Sequence, residues 1–224
     1  MRPNLSVLGA TPLSTTDPTP AVETLPPSQR RLQRPADFTG ERLNRFSQVF
    51  LRHGLPVAIL AGLALLHPDM RTLLSTALTP LLEDPTRYLG AAVLLFSGLI
   101  AYAFYLDRRI DGPAIGWMLY LLAVSIWEEW FFRLALPEIG ASLQPGMDFR
   151  VSVVAANLAF GALHYFTLRW KWPWCVAAFL GGLALSRNLA QHYDLALIIG
   201  IHWVATYVNT PRLPGRRFRA SGSP

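Results

Sequence analysis

The apolar positions of this chain fall in long unbroken blocks, neither the alternation of a half-buried strand nor the one-sided stripe of a surface helix. Six blocks stand out, at residues 49–67, 88–106, 114–136, 150–170, 173–187 and 192–209. A hydrocarbon core of ~30 Å takes about 20 helical residues, close to the length of most of these blocks. The cleanest, "YLGAAVLLFSGLIAYAFYL", carries no charge at all. The fifth is the shortest and reads as a tilted or partial span. The pattern predicts an all-α, polytopic membrane protein with about six transmembrane helices in one bundle.

Composition points the same way. Of 224 residues, 52% are hydrophobic and 15% charged, whereas soluble domains carry about a quarter charged residues. Cys175 is the single cysteine, which excludes an intrachain disulfide and a cysteine-based metal cluster. Residues 1–46 are rich in Pro, Ser, Thr and Arg and lack the apolar run of a secretory signal, so a disordered cytoplasmic tail is expected there. Residues 211–224, "PRLPGRRFRASGSP", are expected to form a basic cytoplasmic tail, leaving 47–210 as the membrane domain.

The net charge of +6 raises the question of nucleic acid, but its distribution answers it. Most of the basic residues flank the apolar blocks, which is how membrane orientation is written, and Arg133 alone is left in the membrane. With both tails inside, the inner side holds Arg2, Arg30, Arg31, Arg34, Arg42, Arg45, Arg52, Arg108, Arg109, Arg169, Lys171, Arg212, Arg216, Arg217 and Arg219. The outer side holds only Arg71, Arg87, Arg150 and Arg187. The expected partner is therefore the lipid bilayer, with no nucleic acid. The expected location is the cell (cytoplasmic) membrane, with multiple passes and both termini cytoplasmic. Trp170, Trp172 and Trp174 would anchor the inner interface.

Against this background "SIWEEWFFRLAL", residues 125–136, is anomalous. Each charge at a bilayer centre costs ~2.5–3.5 kcal/mol on insertion scales. Glu128, Glu129 and Arg133 therefore need partners, water or a job. Further polar residues lie on two later spans. Asn157 and His164 share one face of the fourth; His202, Thr206 and Asn209 share one face of the last. Buried ionisable groups find each other in a membrane, so the economical arrangement is one polar cavity. Glu129 and Arg133 have the i, i+4 spacing of a structural ion pair. Glu128 faces about 100° away and needs a partner of its own. His53 and His67, at the edges of the first span, and His192, in a loop, read as interfacial or solvated. Gly161, Ala177, Ala178, Gly181 and Gly182 read as close helix packing.

A buried carboxylate beside two imidazoles and an arginine suits water activation and oxyanion stabilisation. The same glutamate and histidines are also a donor set for one divalent metal such as zinc. A proton relay for transport is a third use of such residues. Depth is a constraint: on the bounds above Glu128 and His164 miss each other by about 12 Å. Either the third helix continues past Pro137, or the fourth starts earlier or tilts.

Glu128-Glu129-x-x-x-Arg133, then Phe160-x-x-x-His164, then His202 on the last span resemble the CPBP family. These are the CAAX proteases and bacteriocin-processing enzymes, also called the Abi family, and the resemblance covers about residues 114–210. It implies an intramembrane endopeptidase with no cofactor, acting on a membrane-associated protein or peptide. It further implies that Glu128 activates water, that Glu129 with Arg133 supports it, that His164 polarises the water and that His202 stabilises the oxyanion. The family's usual Asn or Asp four residues after the last histidine is Thr206 here, with Asn209 as the other candidate; Phe160 and Asn157 would support the site. A non-catalytic membrane scaffold or bacteriocin-immunity protein is the alternative.

Overall fold

The computed structural model describes residues 43, 45–144, 146 and 148–214. The amino-terminal tail up to residue 42 and the last ten residues of the carboxy-terminal tail lie outside the described residues. All regular structure among the described residues is helical. In chain order the helices are α1 (Phe46–Ala64), α2 (Pro68–Ala77), α3 (Thr79–Glu83), α4 (Pro85–Asp107), α5 (Gly112–Leu143), α6 (Phe149–Thr167), α7 (Trp172–His192) and α8 (Leu195–Asn209).

Aspartates start most of the long helices. Asp84, Asp111, Asp148 and Asp194 each accept a backbone N–H of the first turn of α4, α5, α6 and α8. Such a side chain satisfies one of the donors that a helix start leaves unpaired. Pro85 and Pro113 sit in the first turns of α4 and α5, where no N–H is needed. Arg108 and Tyr193 close α4 and α7 in the left-handed conformation, at φ 55° and 50°.

Four of these helices, α1, α4, α5 and α6, are long and apolar enough to cross a membrane. Of the two remaining predicted spans, α7 is long but less apolar, and α8 is apolar but only 15 residues. The bundle is built around α5, which is the most buried of the four; α4 is the least and packs on α8 at the periphery. Tyr88 on α4 donates its hydroxyl to Asp194 at the start of α8, at 2.5 Å. Tryptophan indoles tie α5 to its neighbours: Trp130 to the Ala61 carbonyl of α1 at 3.0 Å, and Trp203 of α8 to the Met118 carbonyl at 2.9 Å.

α5 runs 32 residues, against the 114–136 expected, and the reason is visible at Pro137. Residues Trp130–Ala135 form a π-helical turn, in which the Leu136 N–H reaches back to the Phe131 carbonyl. A widened turn shifts the hydrogen-bond ladder by one residue. It thereby accommodates a proline that has no N–H to give and would otherwise crowd the preceding turn. The helix continues past Pro137, which removes the depth mismatch between Glu128 and His164.

Two apolar clusters fill the bundle at different levels. One joins Val57 and Ala61 of α1, Met70 and Ala77 of α2, Trp130, Phe131, Phe132, Leu134 and Ala135 of α5, Leu189 of α7 and Ile198 of α8. The other joins Val49, Leu99, Trp117, Met118, Leu121, Trp203 and Tyr207. Along α5 the interval between them holds Glu128 and Glu129. α2 was not anticipated. Its apolar Met70, Leu73, Leu74 and Ala77 recur at helical spacing, but the run is too short and too polar to register as a span.

Candidate active site

Four helices deliver the polar side chains to that interval. α5 brings Glu128, Glu129 and Arg133; α6 brings Asn157, Phe160 and His164; α8 brings His202; α1 brings His53. Glu128, Glu129, Arg133, Asn157, His164, His202 and His53 are all buried. Both π-helical turns of the described chain carry one of them, His53 in Phe50–Gly54 and Arg133 in Trp130–Ala135. Such turns recur at functional sites because they re-aim a side chain that a regular helix would point elsewhere.

The Glu128 carboxylate is the centre. Its Oε1 lies 2.9 Å from His53 Nε2 and 3.8 Å from His164 Nε2, and its Oε2 lies 3.7 Å from His202 Nε2. Each imidazole turns its other nitrogen to a separate partner. His53 Nδ1 is 2.8 Å from the Thr167 hydroxyl, His164 Nδ1 2.8 Å from the Phe160 carbonyl, and His202 Nδ1 2.7 Å from Glu129 Oε1. Three rings are thus held by their Nδ1 sides and present Nε2 to one carboxylate. A partner on one ring nitrogen fixes the tautomer and the direction of the other.

Glu129 is bound on both oxygens, by His202 and by Arg133 Nε at 3.2 Å. The guanidinium lies over the Phe160 ring, 4.2 Å from its centre. Phe160 also packs edge-on to His164 and His202. Asn157 donates to Ser186 of α7 at 3.0 Å and to the Val153 carbonyl. The close approach of α7 depends on Gly182, where a Cβ would overlap Asn157 Oδ1 and lie 3.1 Å from Arg133 Nη2. Gly161 packs as expected, its Cβ position 2.8 Å from the Cys175 carbonyl.

Several expectations need correction. His53 is not interfacial: α1 begins at Phe46 instead of residue 49, so His53 lies well inside the helix and supplies the partner that Glu128 required. Gly181 faces open space, and Ala177 is exposed, so neither is a packing residue. Asn209 is exposed and its amide returns to the Ala205 carbonyl of its own helix. Thr206 is half-buried one turn after His202, and among the described residues its hydroxyl makes no hydrogen bond to the cluster. His67 and His192 are exposed as expected, although His192 ends α7 and is not in a loop. Trp172 and Trp174 are also exposed, whereas Trp170 packs on the His164 ring at 4.6 Å.

Residues that can hold a metal ion are present. Glu128, His53 and His164 offer ligand atoms within 4.8 Å of one another, a donor set that zinc accepts. A separate cavity of about 910 Å³ lies between α1, α2 and the later part of α5, lined by Leu60, Leu63, Met70, Leu73, Phe131 and Ile139 among others. None of the clustered polar residues lines it.

Residues 110–208 match the family model described as type II CAAX prenyl endopeptidase Rce1-like. The match supports the CAAX protease family. It spans the segment from the start of α5 to the end of α8 and includes Glu128, Glu129, Arg133, His164 and His202. The CAAX-protease match thus bears out the resemblance carried by the E-E-x-x-x-R and F-x-x-x-H motifs, and it supports a membrane-embedded peptide hydrolase. His53 and the rest of α1 lie before the matched segment. No curated protein and no solved structure matches the chain.

Proposed function

We propose that the chain hydrolyses a peptide bond close to the membrane, in a C-terminal tail or sorting signal of CAAX or bacteriocin type, with water activated by Glu128. The observation that carries this reading is the convergence of three imidazole Nε2 atoms on one buried carboxylate. A fold needs at most one counter-charge per glutamate; three oriented rings are the apparatus of proton transfer and charge stabilisation.

In this mechanism a water held between Glu128 and His164 gives a proton to the carboxylate as its oxygen attacks the scissile carbonyl. The C–O bond forms while the carbonyl π electrons move onto oxygen. His202, its Nδ1 side held by Glu129, acts as the imidazolium in this step and donates its Nε2–H to that oxyanion. The carbonyl then re-forms, the C–N bond breaks, and the proton on Glu128 passes to the leaving amine. Arg133 keeps Glu129 charged and fixed, so His202 keeps its orientation.

A second reading uses zinc on Glu128, His53 and His164, favoured by their clustered ligand atoms. Purified protein cleaving a farnesylated peptide ending in C-a-a-X, assayed with and without chelator and with metal content counted, separates the two. Cleavage that survives chelation, with less than about 0.1 zinc per chain, is expected for direct activation by Glu128. One zinc per chain, lost together with activity, supports the metal reading. The other alternative, a scaffold or immunity protein, predicts no cleavage under either condition.

A further inference from the structure

We propose that His53 is a positioning residue for Glu128, so that α1, which lies before the family-matched segment, completes the active site. The proposal rests on the reading of Glu128 as the base. Of the three imidazoles around Glu128, only His53 stands at hydrogen-bonding distance, 2.9 Å against 3.8 and 3.7 Å.

The hydrogen positions follow from its other side. The Thr167 hydroxyl donates to the Leu163 carbonyl at 2.7 Å. A hydroxyl has one hydrogen, so the Thr167 oxygen meets His53 Nδ1 as an acceptor, and Nδ1 carries the hydrogen of that 2.8 Å contact. Nε2 is left facing Glu128 Oε1 at 2.9 Å, a contact that is attractive when His53 carries its second proton. The chain Leu163–Thr167–His53–Glu128 therefore ties the carboxylate of α5 to the last turns of α6 through a ring on α1. With Oε1 beside His53, the carboxylate is held so that Oε2 faces His202. A base oriented by a second group, itself oriented by a third, is the logic of other hydrolytic sites.

The position of His53 is locked at several points. Gly54, the next residue, lies so close to Tyr120 of α5 that an added Cβ would overlap the phenol oxygen. Arg52, on its other side, donates Nη2 to the Phe166 carbonyl at 3.2 Å. Ala61, two turns on, accepts the Trp130 indole. A solvated or lipid-facing histidine would need none of these contacts.

The test uses the full chain in nanodiscs, a farnesylated C-a-a-X peptide as probe, and the substitutions His53→Ala, His53→Gln and Thr167→Val. His53→Ala is expected to lower kcat by about 10- to 100-fold, with KM within about twofold of the starting protein. His53→Gln, whose amide N–H reaches the same oxygen, should keep kcat within about threefold, and Thr167→Val should fall between. Melting temperatures of His53→Ala, Glu128→Gln and the double variant supply a readout independent of cleavage; the two effects should be non-additive. Folded His53→Ala with unchanged kcat overturns the proposal, as does His53→Gln that is as slow as His53→Ala. Stoichiometric zinc lost on either His53 substitution also overturns it, because His53 is then a ligand. A starting protein that cleaves no peptide defeats the protease reading and the positioning role together. Wild-type cleavage that is indifferent to residue 53 defeats the positioning role alone.

Discussion

Glu129 and Arg133 lie one helical turn apart on α5, with Oε2 and Nε separated by 3.2 Å and neither side chain reaching solvent. The pair does more than neutralise itself. Its second carboxylate oxygen holds His202, and its guanidinium covers Phe160, which in turn packs on His164. Removing the charge of Glu129 leaves Arg133 buried without its counter-ion. Such a change costs about 3–5 kcal/mol in folded proteins. Glu129→Gln is therefore expected to lower both stability and activity. Thermal unfolding in detergent checks this; unchanged melting would show that Arg133 finds another counter-charge.

Gly182 gives a packing prediction with an internal control. Its Cβ position overlaps the Asn157 side chain and crowds Arg133, so Gly182→Ala should destabilise by about 1–3 kcal/mol through overpacking. Gly181, one residue earlier, has nothing within 4 Å of its Cβ position. Gly181→Ala should be neutral or slightly stabilising, because alanine is the better helix former. Equal melting temperatures for the two variants would mean that α7 does not close on α5 and α6 as described.

The contrast between those glycines shows what the sequence carried and what it did not. Small residues at helical spacing mark a close approach, yet Gly181 and Gly182 look alike until the rotation of α7 is known. The motif residues were legible because charges in an apolar run are costly and therefore conspicuous; Glu128, Glu129, Arg133, His164 and His202 do meet. His53 was not, since it lies near the polar end of its block and only three residues of helix start separate an interfacial ring from a buried one. A signal existed in the orphaned side of Glu128, which demanded a partner. Span lengths were legible to within a few residues except at Pro137 and at the end of α7, which runs on to His192 instead of stopping near residue 187. At Pro137 the π-helical turn that keeps α5 going has no simple sequence mark.

Orientation is the next prediction. We propose, on the excess of Arg and Lys that a six-span arrangement puts on one side, that both termini are cytoplasmic. Reporter fusions at residue 224 and at the α5–α6 connection should report opposite compartments, because an odd number of crossings lies between them if α6, α7 and α8 each cross. The same compartment for both would mean that the short α8 or the less apolar α7 does not span.

The claim at the centre of this account is that the Glu128 carboxylate takes the proton from water. Glu128→Gln keeps the size and packing of the side chain and removes that proton acceptor. Its folded yield should hold or rise, because an amide is cheaper to bury than a carboxylate. Cleavage of the farnesylated C-a-a-X peptide should fall by about 10²–10⁴-fold, the range for loss of a general base. Folded Glu128→Gln that cleaves at the starting rate would contradict the account.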